Sequence, residues 1–303
     1  MKYTNYLYII LLTTVFSGCK TSAIEDLIEG DPSTLHPQKI TILNKVNITN
    51  LSIIQEASDL AFDEETSTLY IVGDKGTLYI YDVNVENKTL NLRYQNKHNI
   101  YHPNETLNID SEGLTSNNKN ELILSFEGNP RVSYLSKEGK IGENIVLPSP
   151  LNNRNNYTTG NKMLEAVAWH QDYGILTAAE FPLHGQKNTK QTIYALDGDM
   201  WHFTAEPYKD NAITAIEVMS DNNLLILERA YKKGTIPSFY ITLKKLYLND
   251  CDEDKVCKTQ ILYSGKMNIK NYEGLTKIGE NRYLMVTDNQ DKLTTDFMYF
   301  EVK

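Results

Sequence analysis

The chain has 303 residues, 41% hydrophobic and 23% charged, which supplies a sizeable core and excludes a disordered or low-complexity polymer. A net charge of -9 excludes the basic stripe that nucleic-acid phosphates select and leaves metal cations or cationic ligands as compatible partners. Length alone admits two domains or one large β-propeller, so internal repeats have to decide.

The chain opens on a targeting pattern. Lys2 is a minimal basic region, Leu7 to Phe16 is an apolar run, and Phe16-Ser17-Gly18-Cys19 resembles a bacterial lipobox. On this reading residues 1–19 are an export signal and Cys19 is lipidated. The protein then sits in the bacterial cell envelope, anchored to a membrane by that lipid and facing the periplasm or the outer membrane. An ordinary secretory signal or an uncleaved anchor is the alternative. No other stretch approaches the ~18 apolar residues of a membrane span. Residues 20–37 lack strand periodicity and read as a flexible tether, leaving 38–303 as the folded domain.

Residues 39–55 offer a strand, KITILNKV, and an extended piece, NLSII. After them one layout recurs five times roughly every 50 residues: strand, polar turn, strand, closing acid. The copies are 58–74, 112–127, 165–180, 214–228 and 273–288. Between them lie further strand candidates, TLYIYDV with TLNLRYQ, RVSYLS with ENIVLP, QTIYAL with MWHFTAE, and the segments flanking Cys251 and Cys257. Four strands per unit and no helix of length predict an all-β fold, a single β-propeller of four-stranded antiparallel blades. Five blades follow if KITILNKV supplies the strand that the last unit, ending in DFMYFEVK, lacks. A sixth would have to hide in the Asn-rich stretch 147–162, which reads as a loop. Cys251 and Cys257 remain as an even pair, and in an exported chain they predict a disulfide across a hairpin tip, with a two-thiolate metal site as the rival.

In a propeller the first strand of each blade lines the central channel and the second runs antiparallel to it. The start of one and the end of the other therefore reach the same mouth. This collects Glu112, Glu165 and Glu273 with Asp74, Glu127, Glu180, Glu228 and Asp288, and sets Asp59, Asp110 and Glu217 near them. Glu112 and Glu127 are expected to face each other across the second hairpin. Carboxylates so crowded raise one another's pKa, bind a cation or are offset by arginine, with Arg131 and Arg229 at hand. Calcium suits such a set because it takes six to eight oxygen ligands. The expected metal ligands are Glu112, Glu127, Glu165, Glu180, Glu228, Glu273 and Asp288. The competing account is structural: an acid at a strand end accepts turn amides or pairs with an arginine of the next blade.

The EGL opening at Glu112, the run SFEGNPRV around Glu127, Asn129 and Arg131, the Glu165 to Glu180 hairpin closing before Pro182, LLILERAY with Glu228, Arg229 and Tyr231, and NYEGL followed by Asp288 and Asn289 together resemble the phytase-like esterase family. The resemblance spans roughly residues 50–303. It implies a propeller and hydrolysis of phosphate or carboxylic esters; the acid ring and its arginines then make Glu112, Glu127, Arg131, Glu165 and Arg229 the catalytic candidates. Asn129, Arg131, Arg229, Tyr231 and Asn289 become substrate contacts, and the substrate a small anionic ester. No G-x-S-x-G, H-E-x-x-H or Walker motif is present, and the six histidines show no ligand spacing; His170, in a hairpin turn, reads as solvated. A non-catalytic propeller that binds a ligand or an envelope protein through Tyr157, Phe181, Tyr231 and Phe239 is the alternative function.

Overall fold

The computed structural model describes residues 38–43, 46–49, 54–104, 109–160, 162–235, 238–288 and 295–303. The export signal, Cys19, the tether and Asn289 lie outside the described residues. The first strand, β1 (Ile40–Ile42), belongs to the last blade. Blade 1 contains β2 (Val46–Thr49), β3 (Ala57–Asp63), β4 (Thr68–Gly73), β5 (Thr77–Glu86) and β6 (Thr89–Asn99). Blade 2 is β7 (Ser111–Ser116), β8 (Leu122–Phe126), β9 (Arg131–Leu135) and β10 (Ile141–Ile145). Blade 3 is β11 (Leu164–His170), β12 (Gly174–Ala179), β13 (Lys190–Ala195) and β14 (Met200–Thr204). Blade 4 is β15 (Asn211–Val218), β16 (Leu224–Lys232), β17 (Ser238–Cys251) and β18 (Cys257–Asn268). Blade 5 is β19 (Asn271–Gly279), β20 (Arg282–Asp288), β21 (Phe297–Val302) and, closing the ring, β1 in register Ile40↔Val302.

The fold is thus a five-bladed propeller, closed by an early strand as the sequence predicts. Two details differ. KITILNKV is broken after Ile42, and Val46–Thr49 runs instead parallel to β6 as a fifth, outermost strand of blade 1. The described residues of 147–162 form no blade. They send Leu147, Leu151 and Tyr157 into the wedge between blades 2 and 3, where Tyr157 Oη donates to the Leu151 carbonyl at 2.8 Å.

Burial explains why the blades close on one another. Both faces of each inner hairpin are apolar, and the buried side chains sort into five clusters, one at each blade–blade interface. A blade alone would leave both faces wet, so the ring is the smallest unit that covers them all. Cys251 and Cys257 are disulfide-bonded across the tip of β17 and β18. His170 is buried rather than solvated: its Nδ1 accepts from the Asp172 and Tyr173 amides, which leaves Nε2 to donate to the Asn222 carbonyl at 3.0 Å.

Candidate functional site: an acid-ringed channel mouth

The register of the five inner hairpins carries a feature absent from the sequence pattern. Each slips by one residue near the start of its first strand, between Ala57 and Asp59, Ser111 and Leu114, Leu164 and Ala166, Ile213 and Ala215, and Tyr272 and Gly274. A bulge inserts one unpaired residue and re-aims its side chain. The inserted residues are Ser58, Glu112, Glu165, Thr214 and Glu273. On each second strand, one position past the partner of the residue that precedes the bulge, come Asp74, Glu127, Glu180, Arg229 and Asp288. The mouth is therefore two stacked pentads, the inner holding three glutamates and the outer four acids and one arginine.

This register corrects three expectations. Glu112 does not face Glu127: Ser111 pairs with Phe126, and the Glu127 amide donates to the Asp110 carbonyl at 3.0 Å, because the bulge takes Glu112 out of the ladder. Glu228 is not at the mouth. Paired with Ile213, it lies one residue before Arg229 and projects to the other side of the sheet, fully buried, 2.7 Å from Lys244 Nζ and accepting from Asn211 Nδ2 at 3.0 Å. Glu217, four residues along the strand from Ile213, reaches the opposite mouth, where it accepts from the Val218 and Lys277 amides.

Asp59 closes the channel below the acids. Its register equivalents are Gly113, Ala166, Ala215 and Gly274, which leave the axis free for one larger side chain. Innermost strands turn unpaired amides toward the channel, and buried amides need acceptors. Asp59 Oδ2 and Oδ1 take those of Leu114 and Leu275, each at 2.9 Å. A Cβ at Gly274 would sit 2.7 Å from the Asp59 backbone, so glycine is needed where the strands crowd.

At the mouth the side chains divide by partner. Arg229 donates to Glu273 Oε1 at 2.7 Å, Asn271 Oδ1 at 3.0 Å and Glu180 Oε1 at 3.1 Å, so its guanidinium is engaged by protein groups. Lys162 Nζ donates to both Glu180 oxygens at 2.9 and 3.0 Å while lying over the Phe181 ring. Asn271 also donates to Glu273 and Asp288, and Glu127 Oε1 accepts from the Met163 amide at 3.1 Å. Glu165, only 7% exposed, makes no hydrogen bond or ion pair among the described residues, nor does the carboxylate of Glu112.

Crowding shows in the acidities. Burial, reinforced by Glu165, Glu127 and Glu273, pushes Glu112 well above the usual carboxylate range. Burial and then Glu180 and Glu273 do the same to Glu165. Glu127 is pushed up to about 7 by burial, Glu180 and Asp110. Glu273 also rises to about 7 through burial, although Arg229 opposes it. Carboxylate oxygens of Glu127, Glu165 and Glu180 lie within 4.8 Å of one another, as do those of Asp74, Asp110 and Glu112. Oxygens ligating one calcium at 2.3–2.6 Å can be no farther apart than about 5 Å, so hard carboxylate donors at this spacing fit such an ion.

Beside the mouth and sharing Lys162, Glu180, Arg229 and Asp288 with it opens a cavity of about 690 Å3. Its far wall is Phe181, Tyr231, Phe239 and Ile269. Of the other expected substrate contacts, Arg131 lies outside both, its guanidinium 3.8 Å from the Phe126 ring centre, and Asn129 is exposed in the turn after β8. Sequence reasoning missed Lys162, Asn271, Ser58, Asp210 and Ile269; all but Ser58 lie outside the repeated strand–turn–strand signal, and Ser58 is not an acid.

A family model described as phytase-like, with esterase-like activity of phytase, matches residues 52–291. No curated relative matches the sequence. Among solved structures, a virginiamycin B lyase from Staphylococcus aureus aligns at 9% identity and TM-score 0.40, covering 88% of this chain and 99% of its own. A luciferin-regenerating enzyme aligns at 10% identity and TM-score 0.44, covering 84% and 93%. A streptogramin B lyase aligns at 8% identity and TM-score 0.37, covering 86% of each chain.

Proposed function

The chain belongs to the phytase-like family, and from that premise we propose that it is an ester hydrolase working at the acid-ringed mouth with a hard divalent cation, calcium being the best fit. The observation that carries this reading is the pair of unpartnered carboxylates, Glu112 and Glu165, aimed into a cluster whose local cations are already engaged. An uncompensated buried cluster costs stability unless it gains a proton or a cation.

Glu127, Glu165 and Glu180 would hold the ion, with Glu112 beside them. Such an ion, held there, would supply Lewis-acid polarisation of an ester oxygen and a more acidic water. Lys162 and Arg229 fix the Glu180 carboxylate from two sides, and Asn271 fixes Glu273 and Asp288. Glu112, beside the three ligands and not one of them, suits the exchange of a proton between that water and a leaving alkoxide. The ester is a phosphate or carboxylic ester. The same reading places the protein outside the cytoplasm, anchored at Cys19, which the disulfide supports because such bonds persist in oxidising compartments.

The test is hydrolysis of 4-nitrophenyl phosphate, phytate and 4-nitrophenyl acetate by lipid-free protein from Lys20 onward, with calcium and with chelator. Turnover lost with chelator and with Glu127→Gln is expected. Undiminished turnover by a folded Glu127→Gln protein contradicts the assignment, and absence of turnover on all three substrates favours a ligand-binding propeller.

A further inference from the structure

We propose that the cavity beside the mouth is the subsite for an apolar acyl chain, making the preferred substrate an uncharged carboxylic ester rather than a polyanionic phosphate ester; this rests on the hydrolase reading above. Phe181 comes from the end of blade 3, Tyr231 and Phe239 from the β16–β17 pair of blade 4, and Ile269 from the connection into blade 5. The Tyr231 and Phe239 rings lie 5.4 Å apart, tilted by 50°, and with Phe181 and Ile269 they form one apolar wall drawn from blade 3, blade 4 and the connection into blade 5.

Ile269 supplies the second observation. It is 50% exposed, and its backbone sits at φ 65, a left-handed conformation that β-branched residues avoid. Strain of this kind persists where the surroundings impose it and concentrates at ligand sites. Glycine would relieve it, and solvent exposure gives isoleucine no folding benefit, so an apolar group at this rim serves something outside the chain.

Charge decides the head group. The cations of the cavity, Lys162 and Arg229, are engaged with Glu180 and Glu273, while Asp210 and Asp288 add negative charge to its lining. A polyanion entering here meets repulsion from the lining and from the mouth beyond, whereas a neutral ester does not. The shared edge at Glu180 and Asp288 sets the cleavable bond against the acids while the chain extends toward Phe239.

The experiment compares 4-nitrophenyl acetate, butyrate and hexanoate in the calcium-loaded protein, with phytate alongside, in wild type, Ile269→Gly and Tyr231→Ala. Burying methylenes predicts kcat/KM rising at least tenfold from acetate to hexanoate. Ile269→Gly should flatten that rise and keep or raise Tm. A flat series with acetate cleaved overturns the subsite, as does a more efficient turnover of phytate than of hexanoate. Binding of the uncleavable hexyl 4-nitrophenyl ether, measured by calorimetry, separates the two readings. Ether bound by wild type and weakened in Ile269→Gly, with no ester cleaved, overturns the hydrolase reading and with it the substrate assignment. Ether bound equally by both proteins overturns the role of Ile269.

Discussion

Replacing Lys244 with methionine tests how the propeller tolerates a buried charge between blades 3 and 4. Lys244 is 1% exposed, its Nζ 2.7 Å from Glu228 and 3.0 Å from Glu206, and it donates to the Thr204 carbonyl at 3.0 Å. Methionine matches the stem but leaves Glu228, fully buried, with Asn211 as its hydrogen-bond donor. Breaking a buried pair from one side costs about 3–5 kcal/mol. At about 2–4 °C per kcal/mol for large domains, Tm should fall by roughly 10 °C in thermal unfolding followed by circular dichroism at pH 7.5. Adding Glu228→Gln to Lys244→Met should recover most of the loss, since the stranded charge disappears and the Asn211 contact survives. Burial already raises the Glu228 pKa, against the pull of Lys244, and losing Lys244 raises it further. A raised folded-state acid pKa stabilises at low pH and loses that stabilisation as pH rises through it, so the deficit of Lys244→Met should shrink toward pH 5. A Tm within 2 °C of wild type at pH 7.5 would refute the reasoning.

The raised pKa values of Glu127 and Glu273, both about 7, predict that cation-free protein loses stability as pH rises from about 4.5 through 7, because the folded state holds those protons more tightly than the unfolded chain. Calcium should therefore raise Tm more at pH 8 than at pH 5.5, and equal increments at both values contradict it. Asp59→Ala orphans the Leu114 and Leu275 amides at roughly 1–3 kcal/mol each, while Asp59→Asn keeps one acceptor oxygen. Urea midpoints should rank wild type above Asp59→Asn above Asp59→Ala, and an Asp59→Ala midpoint equal to wild type removes Asp59 from the account of the channel.

The fold was legible because each blade repeats a hairpin whose apolar runs and polar turns survive in plain text, and closure followed from one missing strand in the last unit. The parallel strand Val46–Thr49 was not, since its text has the alternation of any edge strand. In the site, the five bulges were invisible: one inserted residue changes neither composition nor spacing by more than natural hairpin variation. The bulge moves Glu112 out of register with Glu127, and Glu228, which closes the fourth copy, falls one residue short of the position that Arg229 holds. Sequence reasoning therefore brought most of these acids to one mouth and misplaced two, Glu228 and Glu217. The apolar cavity depends on side chains from blade 3, blade 4 and the connection into blade 5 that approach only through closure. Phe181, Tyr231 and Phe239 were picked for their aromatic character, and Tyr157, chosen on the same grounds, packs in the core because the loop before blade 3 folds inward.

Calcium titration by isothermal calorimetry at pH 7.5 addresses the central claim most directly, using wild type, Glu165→Gln and Glu217→Gln, the last altering an acid at the opposite mouth. Saturable binding in wild type and Glu217→Gln, abolished in Glu165→Gln, is the predicted result. Absence of binding in wild type, or binding unchanged in Glu165→Gln, would contradict a cation site built on the bulged glutamates.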